Sequence, residues 1–72
     1  MKFRFVSRFT ADPAPTRGGF QAVHPKTFQP GDIVDRTHSI GNEKGATVFF
    51  TAIDGREFIA DIIEFENVVV PE

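Results

Sequence analysis

Apolar and polar positions alternate most regularly at the start of the chain, where residues 2–9 read Lys-Phe-Arg-Phe-Val-Ser-Arg-Phe. In an extended chain successive side chains face opposite ways. Phe3, Phe5 and Phe9 then share one side and Lys2, Arg4 and Arg8 the other, which predicts an N-terminal strand over 2–9. Residues 11–19 hold two prolines and two glycines and predict a loop or a short polyproline-like crossing. After it, Phe20, Val23 and Phe28 are spaced to tack an irregular segment onto the core, with Pro25 and Pro30 keeping that segment out of a helix.

From Phe28 the pattern changes. Pro30-Gly31 predicts a turn that leads into a strand through Ile33-Val34, and Ile40 to Gly45 reads as a polar loop bounded by glycines. Thr47 to Ile53 is rich in β-branched and aromatic residues and predicts a strand. Asp54-Gly55 then sits between two apolar runs, a strong hairpin signal. The stretch after Gly55 fits two patterns. As a hairpin strand it pairs Phe50 with Ile59 and Val48 with Asp61. As a helix over 55–66 it gathers Phe58, Ile59, Ile62, Ile63 and Phe65 in one sector, with Asp54 and Glu57 as a capping box. Gly55 in a first helical turn and several mediocre helix formers weigh against the helix. Val68-Val69-Val70 predicts a last short strand, stopped by Pro71.

Length adds a constraint. Seventy-two residues accommodate a single domain. A chain of this size hides only about 60% of the surface its unfolded form exposes, so its core is marginal. With no cysteine, neither a disulfide nor a thiolate metal site can reinforce it. Stability then rests on apolar packing, oligomerisation or a partner. Nine Phe with no Tyr and no Trp supply bulk without polar handles. Most of them are expected in the core, with one or two left for a surface that another chain covers.

Net charge is −2, but unevenly spread. Up to Pro30, Lys2, Arg4, Arg8, Arg17 and Lys26 face Asp12 alone, a balance of +4. From Gly31 on, nine carboxylates face Arg36, Lys44 and Arg56, a balance of −6. The two halves can attract one another or present a basic and an acidic face to different partners. Ser7, Arg8 and Thr10 interrupt any secretory signal after Lys2 and Arg4, no stretch is long enough to span a membrane, and no lipidation signal is present. The expected setting is cytoplasmic.

Within residues 28–72 the order is Phe-x-Pro-Gly-Asp-Ile-Val, a glycine-bounded loop at Gly41 to Gly45, a Thr-Val-Phe-Phe strand and an Asp-Gly hairpin. Phe65-Glu66-Asn67 then precedes Val-Val-Val-Pro-Glu. This arrangement resembles a small SH3-like barrel of the KOW or Tudor kind. The resemblance implies an all-β fold with a one-turn helix at 65–67 before the last strand, and it leaves the 2–9 strand as an addition at an open edge. It also implies a binding module rather than an enzyme, since such barrels bind proteins, nucleic acids and peptides alike.

Candidate chemistry is sparse. Asp32, Asp35 and His38 would share a face on a helix, but Pro30-Gly31 and Ile33-Val34 favour a strand, where the two carboxylates diverge. His24 and His38 have no metal-ligand spacing. His38 and Ser39 are adjacent and face opposite ways on an extended chain, so they form no nucleophile–base pair. Gly41 to Gly45 lacks the Gly-Lys-Ser/Thr ending of a phosphate loop, and Asp54-Gly55 is accounted for as a turn. The acidic stretch Asp54 to Glu66 reads as a solvated face or a dock for a basic surface. No catalytic residue, metal ligand or cofactor site is therefore expected. The Lys2, Arg4 and Arg8 row remains, extended by Arg17 and Lys26. It could meet a partner, track a phosphate backbone, or simply guard a strand edge against unwanted pairing.

These features predict an all-β domain, either a small SH3-like barrel with an added N-terminal strand or, in the alternative, an α+β fold with a C-terminal helix at 55–66. The leading function is a non-enzymatic protein-interaction module, a small accessory regulator or inhibitor that meets a larger protein through the basic row or an edge strand. The alternatives are a nucleic-acid-binding module using Lys2, Arg4, Arg8, Arg17 and Lys26, and a small structural subunit, which predicts a homo-oligomer.

Overall fold

The computed structural model describes residues 1–15, 24–42 and 45–72. Seven strands and one short helix follow in the order β1 (Lys2–Phe5), β2 (Phe9–Pro13), β3 (Lys26–Phe28), β4 (Ile33–Asn42), β5 (Gly45–Ala52), β6 (Glu57–Asp61), α1 (Ile62–Val68) and β7 (Val69–Pro71). All pairings are antiparallel, and the strands form one curled, half-barrel-like sheet ordered β3-β2-β6-β5-β4-β1-β7. The fold is mostly β, as the alternation of the sequence predicts.

The inner face of the curl is aromatic. Phe3, Phe5, Phe28, Phe50, Phe58 and Phe65 are all buried, with Ala11, Val34, Val48, Ala52 and Val69 among them. Burying an aromatic side chain removes on the order of 150–250 Å² from water. Six rings in one interior are therefore the main stabilising term of this small domain. The core expectation for Phe holds, with Phe9 and Phe49 half-buried and Phe20 outside the described residues.

Several local expectations change. The strand expected over 2–9 is two strands, because its alternation breaks at Ser7. A straight strand would carry that polar side chain on the Phe side. The chain bends at Val6 and Ser7 instead, and the Phe5 and Phe9 rings stack with centroids 5.9 Å apart. The two strands are not additions at an edge: β1 lies between β4 and β7, and β2 between β3 and β6. The 11–19 loop begins later than expected. Ala11, Asp12 and Pro13 complete β2, with Pro13 at the strand end where its missing N–H matters least. The remainder of that loop, with Phe20 and Val23, lies mostly outside the described residues. The polar loop expected at 40–45 is also shorter, since β4 runs to Asn42 and β5 starts at Gly45.

The hairpin at Asp54-Gly55 forms with a different register. Ala52 N–H donates to the Arg56 carbonyl at 2.8 Å, and Gly55 N–H donates to the Ala52 carbonyl at 2.9 Å. The turn thus spans three residues, Ile53 to Gly55, with Gly55 at φ +90°. That length is typical of a hairpin ending in one left-handed residue. It pairs Phe50 with Phe58 and Val48 with Ala60, one residue away from the expected Ile59 and Asp61 partners. The shift puts Phe58 inside and leaves Ile53 at the tip, 96% exposed.

Neither pattern for 55–66 covers the whole segment. Its first part is β6 and its end is α1, so the helix begins at Ile62 and is capped by Asp61 rather than Asp54. The Asp61 carboxylate accepts from Ile63 N–H at 3.1 Å and Glu64 N–H at 3.2 Å, satisfying two donors that the first helical turn leaves open. The helix is pinned by Phe65, whose ring lies 5.0 Å from Phe50, 5.7 Å from Phe3 and 6.0 Å from Phe5. Val68 ends this helix and Pro71 lies within β7, so the last strand is Val69–Pro71 rather than Val68–Val70.

Candidate interaction surface

Strand alternation places Lys2 and Arg4 on the outer face of β1, opposite the buried Phe3 and Phe5. Both are partly answered by acids. Arg4 Nε lies 3.5 Å from a carboxylate oxygen of Glu72, and Lys2 is in register with Asp35 on β4. Arg8 is exposed between β1 and β2, and Lys26 is exposed at the start of β3 with Nζ 5.6 Å from the centre of the Phe28 ring. Arg17 lies outside the described residues. The expected row of Lys2, Arg4 and Arg8 is therefore interrupted by the bend after β1.

The curl does bring Lys2 and Lys26 to neighbouring hollows. One, of about 400 Å³, is lined by Lys2, Asp35 and Thr51, and the other, of about 250 Å³, by Lys26, Asp32 and Phe28. Ile33, Ala52 and Ile53 border both. Each lysine shares its hollow with an aspartate, so the surface there has mixed charge.

The outer face of the central strands is more distinctive. The sequence places the Phe residues of 2–9 on the side away from the basic row and leaves one or two rings for a surface without saying which. Yet Phe49 and Phe50 are adjacent in β5, and adjacent residues of a strand must face opposite ways. Phe50 is buried and Phe49 is on the outer face, opposite Ile59 of β6. The Phe-Phe pair was the signal for an outer-face ring. The His38 imidazole stacks on Phe49, centroids 4.3 Å apart and planes 13° from parallel.

A β-bulge makes that stack. The β4–β5 register shifts between Arg36, opposite Phe50, and His38, opposite Phe49, leaving Thr37 as the extra residue. Without it, His38 would share the inner side with Val34 and Arg36; the extra residue re-aims it outward. Thr37 Oγ1 donates to the Phe49 carbonyl at 3.2 Å and lies 3.2 Å from His38 Nδ1. Ser39, on the other face, accepts from the Arg36 guanidinium at 3.3 Å.

Beyond the bulge, β4 is paired on one side only among the described residues. Its partners in β1 are Lys2, Phe3 and Arg4, and the pairing closes where Arg36 N–H donates to the Met1 carbonyl at 2.8 Å. From Thr37 to Asn42 the strand pairs with β5, and no described strand pairs with its other edge, where Ile40 is 56% exposed.

The other candidate residues do not assemble. Asp32 accepts from Gln29 N–H at 2.8 Å in the turn before β4, Asp35 binds the Met1 ammonium at 3.0 Å on the outer face, and His38 is held by Phe49. His24 is exposed beside Pro25. Asp54 accepts from Arg56 N–H at 3.1 Å within its turn. Glu57, Asp61, Glu64 and Glu66 are distributed over β6 and α1 with varying exposure. Among the described residues no group of three or more His, Asp or Glu side chains could hold a metal ion, and no helix is long and apolar enough to cross a membrane. No family model, curated protein or solved structure matches the chain.

Proposed function

We propose that this domain is a protein-interaction module that docks partners along the open edge of β4. The observation that carries this reading is the edge from Thr37 to Asn42, which no described strand covers and which holds the exposed Ile40. An unpaired strand edge presents a row of backbone donors and acceptors, and an added strand satisfies them. The His38–Phe49 stack and Ile40 give the same region an apolar outer face that could select side chains. The resemblance of residues 28–72 to small SH3-like barrels supports a binding role rather than a catalytic one. The basic residues supply a mixed-charge flank, since Arg4 is close to Glu72 and Lys2 shares its hollow with Asp35.

The test is affinity capture from native lysate, with and without nuclease, comparing the wild type with Ile40→Lys and with Arg4→Glu/Arg8→Glu. A nuclease-resistant protein lost with Ile40→Lys but kept with the charge reversal is the expected result. Loss on nuclease treatment together with loss on charge reversal would overturn the edge reading in favour of nucleic-acid binding.

A further inference from the structure

We infer that the open edge of β4 pairs antiparallel with the same edge of a second copy of this chain, with Ile40 facing Ile40 of that copy across a two-fold axis. This inference rests on the edge being the docking surface and names an occupant for it.

Among the described residues, the edges of β3, β7 and the second half of β4 have no partner strand, and they differ in character. The β3 edge is three residues long, begins with Lys26 and lies between Pro25 and Pro30. The β7 edge is also three residues and contains Pro71. Short length, lysine and proline are the usual devices against edge-to-edge pairing. The β4 edge from Thr37 to Asn42 reads Thr-His-Ser-Ile-Gly-Asn, with no Lys, Arg, Asp, Glu or Pro. With no fixed charge along it, two copies can pair there without setting like charges opposite one another.

Geometry narrows the register. Outer-face residues must meet outer-face residues, because a one-residue slip would turn every side chain to the wrong side. The Met1 carbonyl bonded to Arg36 closes one end of the edge, and the bulge occupies Thr37. A regular strand is left from His38 to Asn42, and its centre is Ile40. Pairing about that centre sets Ser39 opposite Gly41 of the second copy on the inner face, where both residues are small. On the outer face it covers the exposed Ile40 with its own counterpart, beside the His38–Phe49 stack. About five residues per copy make a small contact, below the ~1,200 Å² of standard stable interfaces, so the dimer is reversible. A foreign strand can then displace the second copy.

The experiment combines sedimentation equilibrium from micromolar to millimolar protein, cysteine cross-linking and amide hydrogen exchange. The cysteine-free chain makes an introduced thiol unique. The expected results are a mass rising from one chain to two and loss of that rise in Ile40→Lys, with the circular dichroism spectrum unchanged. With oxidised glutathione, Ile40→Cys should form a disulfide dimer well before Ile53→Cys, which is more accessible, at 96% against 56% exposure, but lies away from the edge. A dimer that persists in Ile40→Lys overturns the inference. A monomer at all concentrations with rapidly exchanging amides between His38 and Asn42 overturns self-pairing and leaves the edge open to foreign strands. A monomer in which all of those amides are protected overturns both readings, because another part of the chain then covers the edge.

Discussion

Phe5 and Phe28 lie face to face, ring centroids 4.9 Å apart and planes 14° from parallel, although their strands are the sixth and the first in the order of the sheet. Their stacking draws together distant strands of the curl. Gly31 N–H reinforces the closure by donating to the Phe5 carbonyl at 2.8 Å. The pair therefore ties the first and sixth strands of the sheet into one core. Phe28→Ala should cost about 3–5 kcal/mol, close to the whole stability of a domain this size, and should leave the chain unfolded at room temperature. Phe5→Leu and Phe28→Leu are gentler. Urea unfolding of the two single variants and the double variant should give a coupling of roughly 0.5–1.5 kcal/mol. Strict additivity would show that the rings fill space independently.

The Asp61 cap joins β6 to α1 and fixes where strand becomes helix. Removing its carboxylate leaves the Ile63 and Glu64 N–H groups without their acceptor. Asp61→Ala should lower stability by about 0.5–2 kcal/mol, and Asp61→Asn should recover most of the loss. Thermal unfolding followed by circular dichroism reads both. An Asp61→Ala variant as stable as the wild type would mean that Phe65 packing alone holds the helix.

The strands around the core are legible in the sequence because alternation and burial agree there. Lys2 to Phe5 and Thr47 to Ala52 each put every second residue inside. Legibility ends where a one-residue difference decides the geometry. The bulge at Thr37 and the three-residue turn at Ile53 to Gly55 each add one position, and neither leaves a local mark that distinguishes it from its neighbours. Yet they decide that His38 meets Phe49 and that Phe50 meets Phe58. The 56–66 segment divides because its apolar residues suit both periods, and the choice falls to tertiary contacts: β5 takes the first half, and the Phe cluster takes Phe65. The basic side chains are visible as residue types, but the bend after Phe5 and the proximity of Arg4 to Glu72 depend on the folded chain. The β4 edge is invisible in the sequence, since an edge is a property of strand order.

Gly55 offers a test of the turn. It sits at φ +90°, and a Cβ added there would meet no atom within 4 Å, so a substitution acts through backbone strain alone. Gly55→Ala should destabilise the domain by roughly 1–2 kcal/mol, the usual penalty for a left-handed residue with a side chain. Ile53→Ser, at the neighbouring and almost fully exposed position, should change the urea midpoint very little. Equal effects at the two positions would point to a turn that adopts another conformation.

The Arg4–Glu72 pair separates a stabilising role for the basic row from a binding role. The two side chains are about half exposed, with Nε and the carboxylate oxygen 3.5 Å apart. Exposed pairs of this kind contribute about 0.2–1 kcal/mol, and salt screens them. Arg4→Ala should therefore lower stability slightly at low salt and hardly at all at high salt. If the row instead tracks a phosphate backbone, removing the competing carboxylate should help. Glu72→Gln would then strengthen retention on an immobilised duplex, with a salt dependence that grows as Arg4 is freed. The edge reading expects neither wild type nor Glu72→Gln to be retained at low ionic strength. Retention that Arg4→Glu abolishes would return Lys2, Arg4 and Arg8 to the centre of the function.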